Sequence, residues 1–309
     1  MSEIFSIASD GLNRDVPSNM SLREAREYYL DLHRSGKSFK SKLPKVPVEN
    51  HLGRMVVRCD LSGLGFKAIA AEKLISNIKE KVLVYCAPRA GHAPLAIAEL
   101  AAMYGKKAVF FAPASKQPSL HQVCTIALGA DLRFVKIAAM PVLNLYAKHW
   151  AEKHGAKFLA FGLSGIPEVT AGIVDFGDRL AQEYGMPKEF WCATSTGTMI
   201  RGLQIAWPKA AAKSIAVARN IHPGEIGAAH VSSATIPFLK ECKVQPPFPT
   251  TAAYDAKAWE PCLNEGHKNS WFINVGSDAK IYELAKTVDI SKIDSVRTWS
   301  DMRDLERGL

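Results

Sequence analysis

A lysine that follows two glycines at the mouth of a helix is placed for carbonyl chemistry. In Leu61-Ser62-Gly63-Leu64-Gly65-Phe66-Lys67 the glycines let the chain turn tightly, and a helical pattern begins at once. Lys67 then falls at or near a helix N-terminus, where the macrodipole disfavours a cation. Desolvation and the dipole would both lower the pKa of that amine and suit it to Schiff-base formation. A solvated surface lysine would fit the same residues.

Two further junctions share this character. Val82-Leu83-Val84-Tyr85-Cys86 reads as a buried strand that runs into Ala87-Pro88-Arg89-Ala90-Gly91-His92 and then an Ala-rich helix. His92 could bond a ligand or cap the helix, and Arg89 could clamp a carboxylate or a phosphate. Further on, Trp191-Cys192-Ala193-Thr194-Ser195-Thr196-Gly197-Thr198 gathers hydroxyls and a glycine at a helix start. Such a junction is a ready phosphate cradle, although a Thr-rich capping loop would look similar. It lacks the GK[ST] of a Walker A loop and the spacing of GxGxxG.

The elements that must hold these junctions are readable in outline. Strand candidates are Met55–Arg58, Val82–Cys86, Ala108–Ala112, Leu132–Ile137, Phe158–Phe161, Phe190–Ala193, Ser214–Ala218 and Trp271–Val275. Helical patterns fall between most of them, at Lys67–Lys79, His92–Tyr104, Leu120–Leu128, Val142–Lys153, Val169–Tyr184 and Met199–Trp207. Near-continuous apolar strands alternating with helices predict an α/β fold with mostly parallel sheets, buried on both faces. Ligands of such sheets bind beyond the carboxyl ends of the strands, where all three junctions fall. Residues 1–53 read as an N-terminal arm. Ser21-Leu22-Arg23-Glu24 is a capping box for a helix through about Leu32, and Pro44 and Pro47 keep the following stretch extended.

With 309 residues, 48% hydrophobic and 22% charged, the chain has the composition of an ordinary globular protein of two units. No apolar run is long enough to span a bilayer. Its first residues lack a basic stretch leading into an apolar one, so no secretory signal is expected. Six dispersed cysteines without a CxxC pair argue against a disulfide framework or a structural zinc site, and for a cytoplasmic setting. The formal charge of +9 admits a nucleic-acid or nucleotide partner, or a diffusely basic surface with none.

Taken in order, the three junctions resemble those of the fold-type II pyridoxal-phosphate enzymes, the tryptophan synthase β-like superfamily. Gly65-Phe66-Lys67, then Ala90-Gly91-His92 before an Ala-rich helix, then Thr194–Thr198 stand where that superfamily carries its lysine, its Ser-x-Gly-Asn-His stretch and its phosphate loop. Within it the likeness is closest to D-cysteine desulfhydrase and 1-aminocyclopropane-1-carboxylate deaminase. It rests on Arg58-Cys59-Asp60-Leu61, on Phe161-Gly162-Leu163-Ser164-Gly165-Ile166-Pro167, on Tyr254-Asp255-Ala256-Lys257-Ala258 and on Asn274-Val275-Gly276-Ser277. The likeness runs from about residue 40 to about residue 280. Asn220–Lys243 looks unlike typical members, and His92 stands where the family has asparagine.

The resemblance implies two three-layer αβα domains. Residues 1–67 with 163–309 would form a large cofactor-binding domain carrying the arm, and 68–162 a small one. It implies pyridoxal 5'-phosphate as cofactor, held by Lys67 as an internal aldimine, with Thr194, Ser195, Thr196, Gly197 and Thr198 on its phosphate. His92 would lie beside the ring hydroxyl, Asp255 near the pyridine nitrogen and Ser277 close to the ring. Tyr254 would join Lys67 in catalysis, and Arg89, Ala90, Gly91 and Ser164 would meet the substrate. A carboxylate that keeps the pyridine protonated strengthens the electron sink, which suits a lyase or deaminase acting at the α-carbon of a small amino acid. A decarboxylase or lyase acting on an amino acid attached to a nucleotide or nucleic acid is a second reading. A non-catalytic α/β binding protein on the same scaffold is a third. No metal is expected, and the resemblance implies a homodimer.

Overall fold

The computed structural model describes residues 12–114, 117–136, 139–218, 221 and 226–293; Ile137 and Asn220, each the end of a segment singled out above, lie outside them. In chain order the strands are β1 (Val48–His51), β2 (Arg54–Arg58), β3 (Val82–Cys86), β4 (Lys107–Pro113), β5 (Asp131–Val135), β6 (Lys157–Phe158), β7 (Glu189–Thr194), β8 (Ala211–Ala216), β9 (His230–Ser233) and β10 (Trp271–Asn274). The helices are α1 (Leu22–Arg34), α2 (Phe66–Asn77), α3 (Ala93–Met103), α4 (Leu120–Ala127), α5 (Met140–Lys153), α6 (Pro167–Tyr184), α7 (Thr198–Ala206), α8 (Ala256–Glu265) and α9 (Asp278–Ala285). They fall into two compact units, the first from residues 12–73 and 164–278, the second from 74–163 and 279 onward.

The first unit is built on a six-stranded sheet in the order β1-β2-β10-β7-β8-β9. Only β1 and β2 pair antiparallel, across a two-residue turn in which Leu52 and Gly53 both take positive φ. β7 and β10 have every residue buried, which is why their sequences, EFWCAT and WFIN, hardly alternate. Phe248, Trp259 and Phe272 fill the core on one side, with edge-to-face ring contacts at 5.0 Å. On the other side Trp207 donates to the Gly177 carbonyl and packs between Phe190 and Trp271. The capping box at α1 forms as expected: Ser21 Oγ accepts from the Glu24 N–H, and Glu24 accepts from the Ser21 N–H. The helix runs on to Arg34.

The second unit carries a four-stranded parallel sheet, β5-β4-β3-β6, around Val84, Val109, Phe111 and Leu143. α3 is buried along almost its whole length, as its alanines allow. Ser119 and Gln122 form a reciprocal cap on α4. α9 joins this unit through Cys124 Sγ, which donates to the Ile281 carbonyl at 2.9 Å.

Four elements escape the hydrophobic pattern. β1 and β9 are edge strands without a single buried residue, so neither shows an apolar run. α8 contains Pro261, which breaks the helical signature without breaking the helix. α9 is short and only Ile281 and Ala285 are buried, too few to mark a period. No described helix is long and apolar enough to cross a membrane.

Candidate functional site

The site assembles where β2, β7 and β10 of the first unit end. Arg58 forks onto Asp60 at 2.9 and 2.8 Å, both residues buried, and Asn274 donates to the same carboxylate at 2.8 Å. This fixes the turn Cys59–Leu61 against the end of β10. The chain then doubles back at Gly65, whose φ is +96° and whose Cβ, if it had one, would sit 2.1 Å from the Val275 carbonyl oxygen. Only glycine fits there. The next amide, of Phe66, donates to that same carbonyl at 2.9 Å, and α2 begins.

Lys67 is thereby held as the second residue of α2, partly buried. Burial first, and the neighbouring Arg201 guanidinium second, pull its pKa down to about 7, while Asp15 pulls the other way. An amine of that pKa is a competent nucleophile near neutrality.

Arg201 was not singled out from the sequence. It lies buried on α7, paired with the buried Asp15 of the N-terminal arm. Its other donors reach the Thr196 carbonyl at 3.0 Å and Ser164 Oγ at 3.1 Å. A charged residue in the apolar run Met199-Ile200-Arg201-Gly202-Leu203 was the one available signal. Nothing local announces Asp15, 186 residues away along the chain.

The threonine loop follows β7. Gly197 takes φ +75° as the N-cap of α7, and a Cβ there would meet Arg201 and Ile226 at 2.6 Å. Thr196 and Thr198 hydroxyls lie 3.1 Å apart beside a helix start. Thr194 differs from the rest: its hydroxyl is buried and bonded to Ser214 at 2.5 Å, so the side chain serves the core. Ser195 continues the loop between them, half-buried.

Tyr254, Asp255 and Ser277 complete the first unit's share. Tyr254 Oη donates to the Ala193 carbonyl at 3.3 Å, and burial raises its pKa well above that of a free phenol, so it stays protonated. Asp255 is fully buried rather than a solvated turn residue. Its Oδ2 accepts from Thr251 Oγ1 at 2.8 Å and from the Val275 amide at 3.0 Å. Oδ1 is buried with no hydrogen-bond partner among the described residues, and so is Ser277 Oγ. Burial holds the Asp255 carboxyl well above the usual carboxylate range, although the Thr251 hydroxyl and the Val275 and Gly276 amides lower it. The sequence reading treats Asp255 as an ionised group, whereas burial favours its neutral form.

This burial has a measurable sign. A raised folded-state pKa means that Asp255 favours folding at low pH and costs stability once the unfolded chain ionises, above the ordinary value of 3.8. Asp255→Asn keeps the shape and removes the cost, so the variant should melt roughly a few degrees higher at neutral pH and show no gain near pH 3. Thermal unfolding at the two pH values checks this.

The other expected residues belong to the second unit. Arg89, exposed, donates to the Gln117 carbonyl at 3.3 Å. Ala90 and Gly91 form the turn before α3, with Gly91 at φ +135°. His92 is the N-cap and packs edge-on to His121 at 5.7 Å.

No family model matches the sequence, and no curated protein does. Solved structures do. A homologue of ACC deaminase is 17% identical with a TM-score of 0.58, covering 75% of this chain and 90% of its own. The processed form of threonine deaminase isoform 2 from Solanum lycopersicum is 15% identical at a TM-score of 0.56, over 93% and 89%. A pyridoxal 5'-phosphate-dependent aspartate racemase is 15% identical at 0.56, over 94% and 97%. At these identities the likeness establishes the fold: mixed α/β with mostly parallel sheets, the architecture of the fold-type II pyridoxal-phosphate enzymes.

Proposed function

We propose that this chain uses the fold-type II framework to bind pyridoxal 5'-phosphate through Lys67 and to act at the α-carbon of a small amino acid or amino-acid-like substrate, as a lyase or deaminase. One observation carries the reading. A lysine of pKa about 7 follows the turn whose Gly65 and Phe66 pack on the Val275 carbonyl, and two buried polar atoms with no hydrogen-bond partner among the described residues, Asp255 Oδ1 and Ser277 Oγ, belong to residues at that same strand end. Orphaned buried polar atoms are costly, and a ligand that bonds them repays the cost.

The residues present fit the cofactor. Lys67 would hold its aldehyde carbon, residues 194–198 its phosphate through the loop backbone and the hydroxyls of Ser195, Thr196 and Thr198, and Asp255 with Ser277 its ring nitrogen. When bound, it would supply a sink for the electron pair left at the substrate α-carbon. Lys67 is then the group that moves the α-proton, since an amine that titrates near pH 7 can both take and return it. Tyr254 keeps its proton and orients rather than abstracts. Asp255, whose Oδ2 accepts from Thr251 and Val275, would present Oδ1 to the ring nitrogen. A second reading places the same chemistry on an amino acid carried by a nucleotide or nucleic acid; the +9 charge favours it.

Reduction with borohydride after incubation with the cofactor tests the proposal. A pyridoxyl mass confined to the peptide carrying Lys67 supports it, whereas labelling spread over surface lysines removes it. Deuterium uptake at the α-carbon in heavy water, across a panel of amino acids, then finds the substrate whatever the later steps.

A further inference from the structure

We propose that a second site on the first unit, the cationic cavity beneath the N-terminal arm, binds phosphate-bearing ligands of the nucleotide class. The cavity encloses about 650 Å³ between residues 33–46, α2 and α6, a volume usual for small-ligand sites. Of the junction that carries Lys67 only Ser62 lines it, and none of the residues assigned above to cofactor or substrate does.

Its charge is lopsided. Six lysine and arginine side chains face three carboxylates there, so a third of the chain's net charge of +9 borders one cavity. Each carboxylate is already engaged. Asp175 holds Arg179 at 2.8 Å, Glu183 holds Lys45 at 2.7 Å, and Glu72 accepts from Ser41 Oγ at 2.5 Å and the Lys42 amide at 2.7 Å. Lys37 and Lys40 are exposed and make no ion pair among the described residues.

The cavity is also pinned open at both ends. Lys73 Nζ donates to the Ser35 carbonyl at 3.0 Å, and Glu72 grips residues 41 and 42. Residues 36–40 therefore span two fixed points on α2, which presents Lys37 and Lys40 along one rim. The wall between them is apolar: Phe39, half-buried and edge-on to His33 at 6.2 Å, with Ile69, Phe176 and Leu180. Free cations beside an aromatic wall match a ligand that joins a phosphate to a flat base. A small inorganic anion would leave the apolar wall unused, and an acidic peptide would not need it.

The test uses the full chain and a fluorescein-labelled oligothymidylate, read by anisotropy at two salt concentrations. Binding should weaken at least about tenfold in the double variant Lys37→Glu/Lys40→Glu, with a salt slope shallower by about 2. Both positions are exposed, so the melting temperature should hold, and Lys37→Ala/Lys40→Ala should fall between. Competition by thymidine monophosphate identifies the free nucleotide as ligand, and competition by unlabelled strand alone identifies nucleic acid; either supports the site. Equal binding by variant and wild type, or none by wild type, overturns it. Cofactor trapping at Lys67 is scored on the same variant and is unaffected in every case, so the two proposals fail separately.

Discussion

Replacing Lys67 with methionine is expected to abolish cofactor attachment and, in protein without cofactor, to stabilise the fold below pH 7. The second half distinguishes a buried amine from a surface one. Burial and Arg201 hold the Lys67 amine at about 7 against an ordinary value of 10.5. Below pH 7 the folded and unfolded chains both carry the proton, and the folded chain bears the full cost of a desolvated ammonium. From pH 7 to 10.5 the folded chain releases its proton while the unfolded chain keeps it, so the cost falls away. The variant should therefore exceed wild type by a few kcal/mol at low pH, at about 1.4 kcal/mol per pH unit of displacement less a discount for partial exposure. The advantage should shrink steadily into the alkaline range. Denaturant unfolding at about pH 5.5 and about pH 9 measures it, and equal stabilities at the lower pH would return Lys67 to the surface.

The lysine, its glycine turn and the threonine loop are legible in the sequence because each is a local event. A strand ends, a glycine permits a reversal, a helix begins, and all the residues involved are neighbours in the chain. The parallel strands are legible for a related reason, since burial on both faces writes continuous apolar runs such as those of β3 and β7. The elements that stay hidden lack any such local mark. β9 is recognised only by its pairing with β8, register His230 to Lys213, not by its own residues. In the site the same division holds. Gly65 can be placed at a turn from sequence, but the Val275 carbonyl that forbids a side chain there comes from 210 residues away. Asp255 can be singled out, but its protonation follows from the depth at which β10 and α8 enclose it.

Lys67 and Asp255 share a thermodynamic character that a folding optimum would not retain. One is a cation whose charge is disfavoured where it stands, the other an acid whose ionisation is disfavoured, and the Val275 backbone bonds both Asp255 and Phe66, the residue before Lys67. Their costs fall in opposite pH ranges, Lys67 below about 7 and Asp255 above the acid range. Groups kept in protonation states that oppose stability are the usual signature of a reactive site.

The Asp15–Arg201 pair should control the Lys67 amine with opposite signs from its two halves. Arg201 depresses the lysine pKa and Asp15 raises it. Removing the cation with Arg201→Met should therefore raise the pH midpoint for cofactor attachment, and Asp15→Asn should lower it. In Asp15→Asn the side-chain carbonyl can still accept from Thr170, which now donates to Asp15 at 2.9 Å, so the arm keeps one anchor. Each single variant leaves a buried partner unmatched and should lose about 3–5 kcal/mol of stability. Loss of stability alone would be the mark of any buried ion pair. Opposed midpoints are not, because a clasp that merely holds the arm in place would disturb the loop in the same sense whichever half was removed. Rates of attachment measured from about pH 6 to about pH 9 give the midpoints. Should both variants move the midpoint together, the pair is a structural anchor for the Thr196 loop through the bond from Arg201. Opposite movement would instead make a residue of the N-terminal arm, remote in sequence from every recognisable motif, one of the groups that set the reactivity of Lys67.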